Sequence, residues 1–131
     1  MRNVIRQSVV LSAPADRLFQ MYLDPQTHGT ITGAPVTIAE ETGSEFRAFD
    51  GKLSGQILAV TRPRLIVQFW RSVAFKPDDP DSTLILCFTA QGNDGRIDLV
   101  HLDVPDQDLD GVKKGWEAFY WIPWRKYLER R

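Results

Sequence analysis

In VIRQSVVL (4–11), β-branched residues alternate loosely with polar ones. A period of two sends successive side chains to opposite faces of a pleat, so this segment is expected to be a strand. The period then lengthens. In SAPADRLFQMYLD (12–24), Leu18, Met21 and Tyr22 recur at helical spacing, and Pro14 stands where a first helical turn tolerates proline. A short amphipathic helix is expected, ended by Asp24-Pro25, because a residue before proline is pushed out of helical geometry. PQTHGTITGAP (25–35) reads as a loop or a single helical turn.

From Val36 the short period returns in six segments: VTIAE, EFRAFD, SGQILAVT, RLIVQFWR, STLILCFTA and RIDLVHLD. Their connections DGKL, RP and GNDG carry the residues that tight turns require. Parallel strands need crossovers of about a dozen residues or more, and none lies between these segments. An antiparallel meander is expected, about seven strands with the N-terminal one. The longer gap SVAFKPDDPDS (72–82) reads as an exposed acidic loop.

Residues 109–129 resume the helical period. Val112, Trp116, Phe119, Pro123 and Tyr127 share one stripe, flanked by Leu109, Tyr120 and Trp124. A helix of that length spans about 30 Å, enough to cross a sheet. Pro123 cannot donate to the Phe119 carbonyl and clashes with it, at a cost of about 3 kcal/mol. Burying each large side chain returns roughly 2 kcal/mol, so several buried aromatics outweigh the proline. The expected result is a kinked helix laid on a curved sheet. On a uniform wheel Trp121 points about 140° away from Trp116, with Ile122 also off the stripe. Either the helix is covered on more than one side there, or Trp121 and Ile122 form an exposed patch suited to a partner or a second copy.

Composition narrows the function. Sixteen basic and seventeen acidic residues give a net charge of −1, which recruits neither nucleic acid nor an anionic membrane. No stretch approaches ~20 apolar residues, and the N-terminus has no secretory pattern, so a cytoplasmic protein of one domain, residues 1–131, is expected. Cys87, the single cysteine, falls in an apolar strand and reads as a small buried hydrophobe.

Few patterns carry chemistry. DQDLDGVKKGWE (106–117) has the spacing of a calcium loop, with Asp106, Asp108, Asp110 and Glu117 as oxygen ligands. It is preceded by a strand and a proline instead of a helix, Lys113 and Lys114 oppose a dication, and Glu117 falls inside the long helix. The segment is expected to be an acidic helix start, with carboxylates at the positive end of the dipole, and not a metal site. His101 alternates in phase with Ile97 and Leu99 and should point inward, either as a satisfied core residue or as a weak acid/base candidate. His28 is expected to be solvated. Two distant histidines and one cysteine make no zinc spacing.

The order strand, short helix, meander and long aromatic helix resembles the α+β helix-grip fold of START-like and birch-pollen-allergen-like proteins, the SRPBCC superfamily. Within it, APADRLFQMYLDPQTHGTITGAP (13–35), GSEFRAFDGKLSGQIL (43–58), RLIVQFWR (64–71) and DGVKKGWEAFYWIPWRKYL (110–128) are similar to the C-terminal-type domain of the activator of the ninety-kilodalton heat-shock protein ATPase. That resemblance implies a hydrophobic cavity between sheet and helix, with Phe46, Gln68, Trp70, Leu84, Leu86, His101, Trp116 and Tyr120 as candidate walls for a small apolar ligand. It implies no cofactor. Two other roles remain open: a co-chaperone-like interaction domain, and a cyclase- or hydrolase-like enzyme using the cavity. The activator carries a further N-terminal domain outside the region of resemblance, so ATPase activation is not expected of this domain by itself.

Overall fold

A computed structural model describes residues 3–130. The expected first strand is β1 (Val4–Leu11), followed by helix α1 (Ala15–Leu23) with Pro14 as its N-cap. Leu18, Phe19, Met21, Tyr22 and Leu23 of α1 are buried. A second helix, α2 (Pro25–Thr32), replaces the expected loop or single turn. Asp24 caps it by accepting from the Thr27 N–H, Pro25 opens it, and Gly33 closes it at φ 83°. Its signals are therefore caps, not periodicity: only His28 and Ile31 are buried.

The remaining strands are β2 (Glu45–Ala48), β3 (Leu53–Thr61), β4 (Leu65–Ser72), β5 (Ser82–Gln91) and β6 (Asp94–Leu102). They form one antiparallel sheet in the order β1-β6-β5-β4-β3-β2. The sheet has six strands, not seven, because VTIAE contributes only a bridge between Thr37 and Arg47. The chain turns at Glu41–Ser44, where Gly43 and Ser44 bond to Ile57 and carry the pairing of β2 with β3 one step further.

Alternate residues of each strand pack inward, among them Ile5, Phe46, Ile57, Ile66, Leu84, Leu86, Phe88, Ile97 and Leu99. The outer face keeps a half-buried apolar row, Val67, Ile85 and Val100, paired across β4, β5 and β6. The acidic loop after β4 is less exposed than expected. Its Phe75 is buried against Trp70, with ring centroids 6.0 Å apart, and Arg71 holds the carbonyls of Lys76 and Asp79.

The C-terminal helix is regular only at its ends. After a turn at Asp106–Asp108 it runs as α3 (Leu109–Trp116), widens into a π segment over Glu117–Trp121, and finishes as α4 (Ile122–Glu129). The irregularity expected at Pro123 lies one turn earlier: the N–H of Ile122 reaches back to Glu117, and Pro123 sits in the first turn of α4. The wider turn leaves room for the proline ring and inserts one extra residue into the helical count. That residue sets every later position back by about 100°, so Trp121 lies about 40° from Trp116 instead of about 140°. Trp116, Tyr120, Trp121, Trp124 and Leu128 are accordingly buried, whereas Phe119, expected on the stripe, is 57% exposed.

Close approach of backbone fixes the sheet behind this helix. A Cβ on Gly55, paired with Trp70 across β3 and β4, would lie 1.9 Å from the carbonyl oxygen of Phe69. Gly55→Ala is predicted to cost about 3 kcal/mol, lowering Tm by about 10 °C in a thermal melt. A Tm within about 2 °C of wild type would contradict that packing.

Candidate functional site

Polar groups enter the interior at a few points, and most are paired. His101, on β6, lies between Ser82 on β5 and Trp116 on α3. The Ser82 hydroxyl donates to the Trp70 carbonyl, so it accepts from His101 Nε2 at 2.8 Å. Trp116 Nε1 donates to His101 Nδ1 at 3.2 Å. Both ring nitrogens of a neutral imidazole are thereby engaged, and burial pushes its pKa down to about 3. His101 thus ties the helix to the sheet.

His28 is the second interior histidine. The expectation that it is solvated is wrong: α2 turns it inward, and it is 1% exposed. Its Nδ1 donates to the Tyr22 carbonyl at 2.8 Å, leaving Nε2 to accept from the Tyr120 hydroxyl at 2.8 Å. Burial lowers its pKa to about 4, against an opposing contribution from the Tyr22 carbonyl. Tyr22 in turn donates to Gln68 Oε1 at 2.6 Å. Burial raises the pKa of both tyrosines, so the whole string is neutral.

Beside these strings a cleft of about 620 Å³ opens between α3, the π segment and the ends of β3 and β4. Phe49, Leu53, Val112, Trp116 and Phe119 make it mostly apolar, and Asp50 and Lys52 also reach its wall. Three buried side-chain polar atoms among the described residues have no hydrogen-bond partner: Trp70 Nε1, Asp108 Oδ2 and Trp124 Nε1. Trp70 and Asp108 both line the cleft. Trp124 instead stacks against Trp121, with ring centroids 6.4 Å apart.

Of the candidate cavity residues, Trp70, Trp116 and Tyr120 stand on the cleft wall. Phe46, Leu84 and Leu86 lie in the packed core, and Gln68 and His101 in the hydrogen-bonded strings. The residues missed by sequence reasoning are Asp108, Val112 and the β2–β3 turn residues Phe49 and Asp50, which have positive φ of 53° and 59°. Consecutive positive φ at two non-glycine residues leaves no mark in hydrophobic periodicity.

Trp121 does not form an exposed patch with Ile122. It is 4% exposed and donates to Gln7 on β1 at 2.8 Å, while Ile122 is 42% exposed. The extra residue of the π segment is the physical reason. The acidic residues at the helix start also go separate ways. Asp106 accepts from Asn3, Asp110 pairs with Lys114 at 3.0 Å, and Glu117 opens the π segment. Among the described residues no three His, Cys, Asp or Glu side chains gather as metal ligands.

Comparison with known proteins places this geometry in a family. Residues 12–128 match the family described as Activator of Hsp90 ATPase homolog 1-like protein. No curated protein sequence matches the chain. Among solved structures, PFC0360w, an HSP90 activator from Plasmodium falciparum, superposes with a TM-score of 0.85 at 22% identity, covering 98% of this chain and 96% of its own. Protein MLL2253 from Mesorhizobium loti gives 0.83 at 18% identity, covering 98% of each chain. Ara h 8.0201 gives 0.78 at 11% identity over 100% of both chains. At these identities the structures share the fold.

The two neutral histidines make stability depend on pH. In the unfolded chain a histidine takes up a proton near pH 6.5, whereas the folded protein resists until about pH 4 for His28 and about 3 for His101. Their contribution is therefore complete above about pH 6.5 and is lost as pH falls through that window, on the order of 3 kcal/mol for each. The urea midpoint should hold steady above about pH 7 and fall from about pH 6.5 toward 4, with a shallower fall in His101→Gln. A midpoint flat across that window would show that these histidines are not buried neutral.

Proposed function

The chain belongs to the family of Activator of Hsp90 ATPase homolog 1-like proteins, and we propose that it binds a small, largely apolar molecule in the cleft between the C-terminal helix and the sheet. The observation that carries this reading is the cleft itself. Its volume of about 620 Å³ lies within the usual range for small-molecule sites, and apolar walls with a few polar atoms are the usual composition of one. The helix-grip architecture supports it further, since a long helix laid on a curved sheet meets the sheet fully at one end and stands away at the other. Trp121, Trp124 and Leu128 fill the closed end, and Val112, Trp116 and Phe119 stand at the open one.

The enzyme reading has less support. His101, its candidate, has both nitrogens committed to Ser82 and Trp116, and a general base needs a free lone pair within reach of substrate.

A protein-contact reading, with a chaperone or a second copy as partner, is favoured by a different surface from the one expected. The row Val67, Ile85 and Val100 on the outer face of the sheet is apolar and only half-buried. Ile85→Glu should abolish any such association in sedimentation without altering the cleft.

Occlusion tests the leading reading. Methylnaphthalene, a flat apolar probe, should raise the Tm of the wild-type protein by binding its folded state, and Val112→Trp should fill the cleft from the helix side and abolish that rise. An equal rise in wild type and variant would place the binding elsewhere.

A further inference from the structure

Resting on the small-molecule reading above, we infer that His28 and His101, which stand behind the cleft and do not line it, are positioning residues of the binding site, each holding an aromatic wall residue by accepting its one donor hydrogen. Trp70, Trp116 and Tyr120 are the buried residues of the cleft lining. Their rings run together, with centroids 6.2 Å apart from Trp70 to Trp116 and 4.8 Å apart from Trp116 to Tyr120. Tyr120 donates to His28, and Trp116 donates to His101.

A residue on the wall of a cleft lacks neighbours on one side, so packing constrains its ring less there than in a filled core. A directional bond supplies the missing constraint. Trp124 shows the contrast: at the packed end of the helix it is buried with no hydrogen-bond partner for its indole. Trp70, on the wall, has no such partner either. It is instead held edge-on against the His101 ring, with centroids 4.7 Å apart and planes at 85°. His101 therefore backs both indoles of the wall.

Each histidine is itself fixed from its other side. His101 Nε2 donates to Ser82 on β5, which leaves Nδ1 to accept from Trp116. His28 Nδ1 donates to the Tyr22 carbonyl on α1, which leaves Nε2 to accept from Tyr120. A neutral imidazole has one donor and one acceptor nitrogen, so the two rings are held in opposite tautomers. Neither can turn over without giving up both of its bonds. The wall is thus referred to the sheet through one histidine and to the helical layer through the other.

A double-mutant cycle on ligand binding separates this role from stability. Tyr120→Phe keeps the ring and removes the donor, and His28→Leu removes the acceptor. In equilibrium dialysis each should weaken methylnaphthalene binding about fivefold, and the double variant should bind within about twofold of either single one. His28→Gln, whose amide oxygen can accept from Tyr120, should restore most of the affinity, as should His101→Asn relative to His101→Leu. Ile97→Val, in the packed core on the same strand as His101, should lower Tm and leave the affinity unchanged. Side-chain nitrogen NMR should find the acceptor at Nε2 in His28 and at Nδ1 in His101. If His28→Leu does not fold, Tyr120→Phe decides alone. Wild-type affinity in Tyr120→Phe, additive losses in the double variant, or the same tautomer in both histidines would overturn the positioning assignment and leave the small-molecule reading standing. If methylnaphthalene does not bind the wild-type protein, that reading fails and the assignment falls with it.

Discussion

At Ile122 the helical hydrogen bond reaches back five residues, to the carbonyl of Glu117, and the arrangement of the interior follows from that one longer step. An α-helix cannot turn residues 116, 120, 121, 124 and 128 all to one side, because Trp121 would fall about 140° from Trp116. With one residue taken up in the π segment, Trp116, Trp121 and Trp124 stack along the sheet, at 5.8 Å and then 6.4 Å between ring centroids. Tyr120 meanwhile remains free to turn toward α2. The same step accommodates Pro123, so the feature that breaks the helix is also the one that lets it cover the sheet.

Of the polar atoms that these aromatics bring inward, Trp124 Nε1 has no partner and three others are answered one at a time. Gln7 receives Trp121, His101 receives Trp116 and His28 receives Tyr120. Each acceptor comes from a different element, β1, β6 or α2, so the helix is pinned to both the sheet and the helical layer by directional contacts as well as by apolar burial. The two histidines must be neutral to accept, which burial ensures. Trp70 Nε1 and Asp108 Oδ2, on residues that line the cleft, and Trp124 Nε1, at the packed end of the helix, are buried without a partner.

The α+β architecture was legible because period-two and period-3.6 segments are long and their turn residues unambiguous. RLIVQFWR, STLILCFTA and RIDLVHLD each became a strand, with Trp70, Leu84 and His101 on the inward face; the sequence pointed only His101 inward and left the face of the other two open. Helix α2 was obscure because its stability comes from the Asp24 cap and Gly33, with only two buried side chains to mark a period. His28 was misplaced for the same reason. VTIAE has strand composition, but strand formation depends on a partner that the sequence does not name, and in the fold the segment makes a single bridge, Thr37 to Arg47. The site was half legible. Trp116 and Tyr120 follow from periodicity, whereas Trp121 does not, because a wheel assumes a uniform turn. Asp108 was legible only as part of an acidic helix start, since an unpaired oxygen is a property of the folded environment and not of the residue.

Proton–nitrogen NMR of the tryptophan indoles tests most directly whether a small apolar molecule enters the cleft. On titration with methylnaphthalene, the indole resonances of Trp70 and Trp116, which line the cleft, should move under the ring current of the bound probe. That of Trp121, bonded to Gln7 and away from the cleft, should keep its shift. Trp70 and Trp116 resonances that stay fixed while the probe raises Tm would contradict the account.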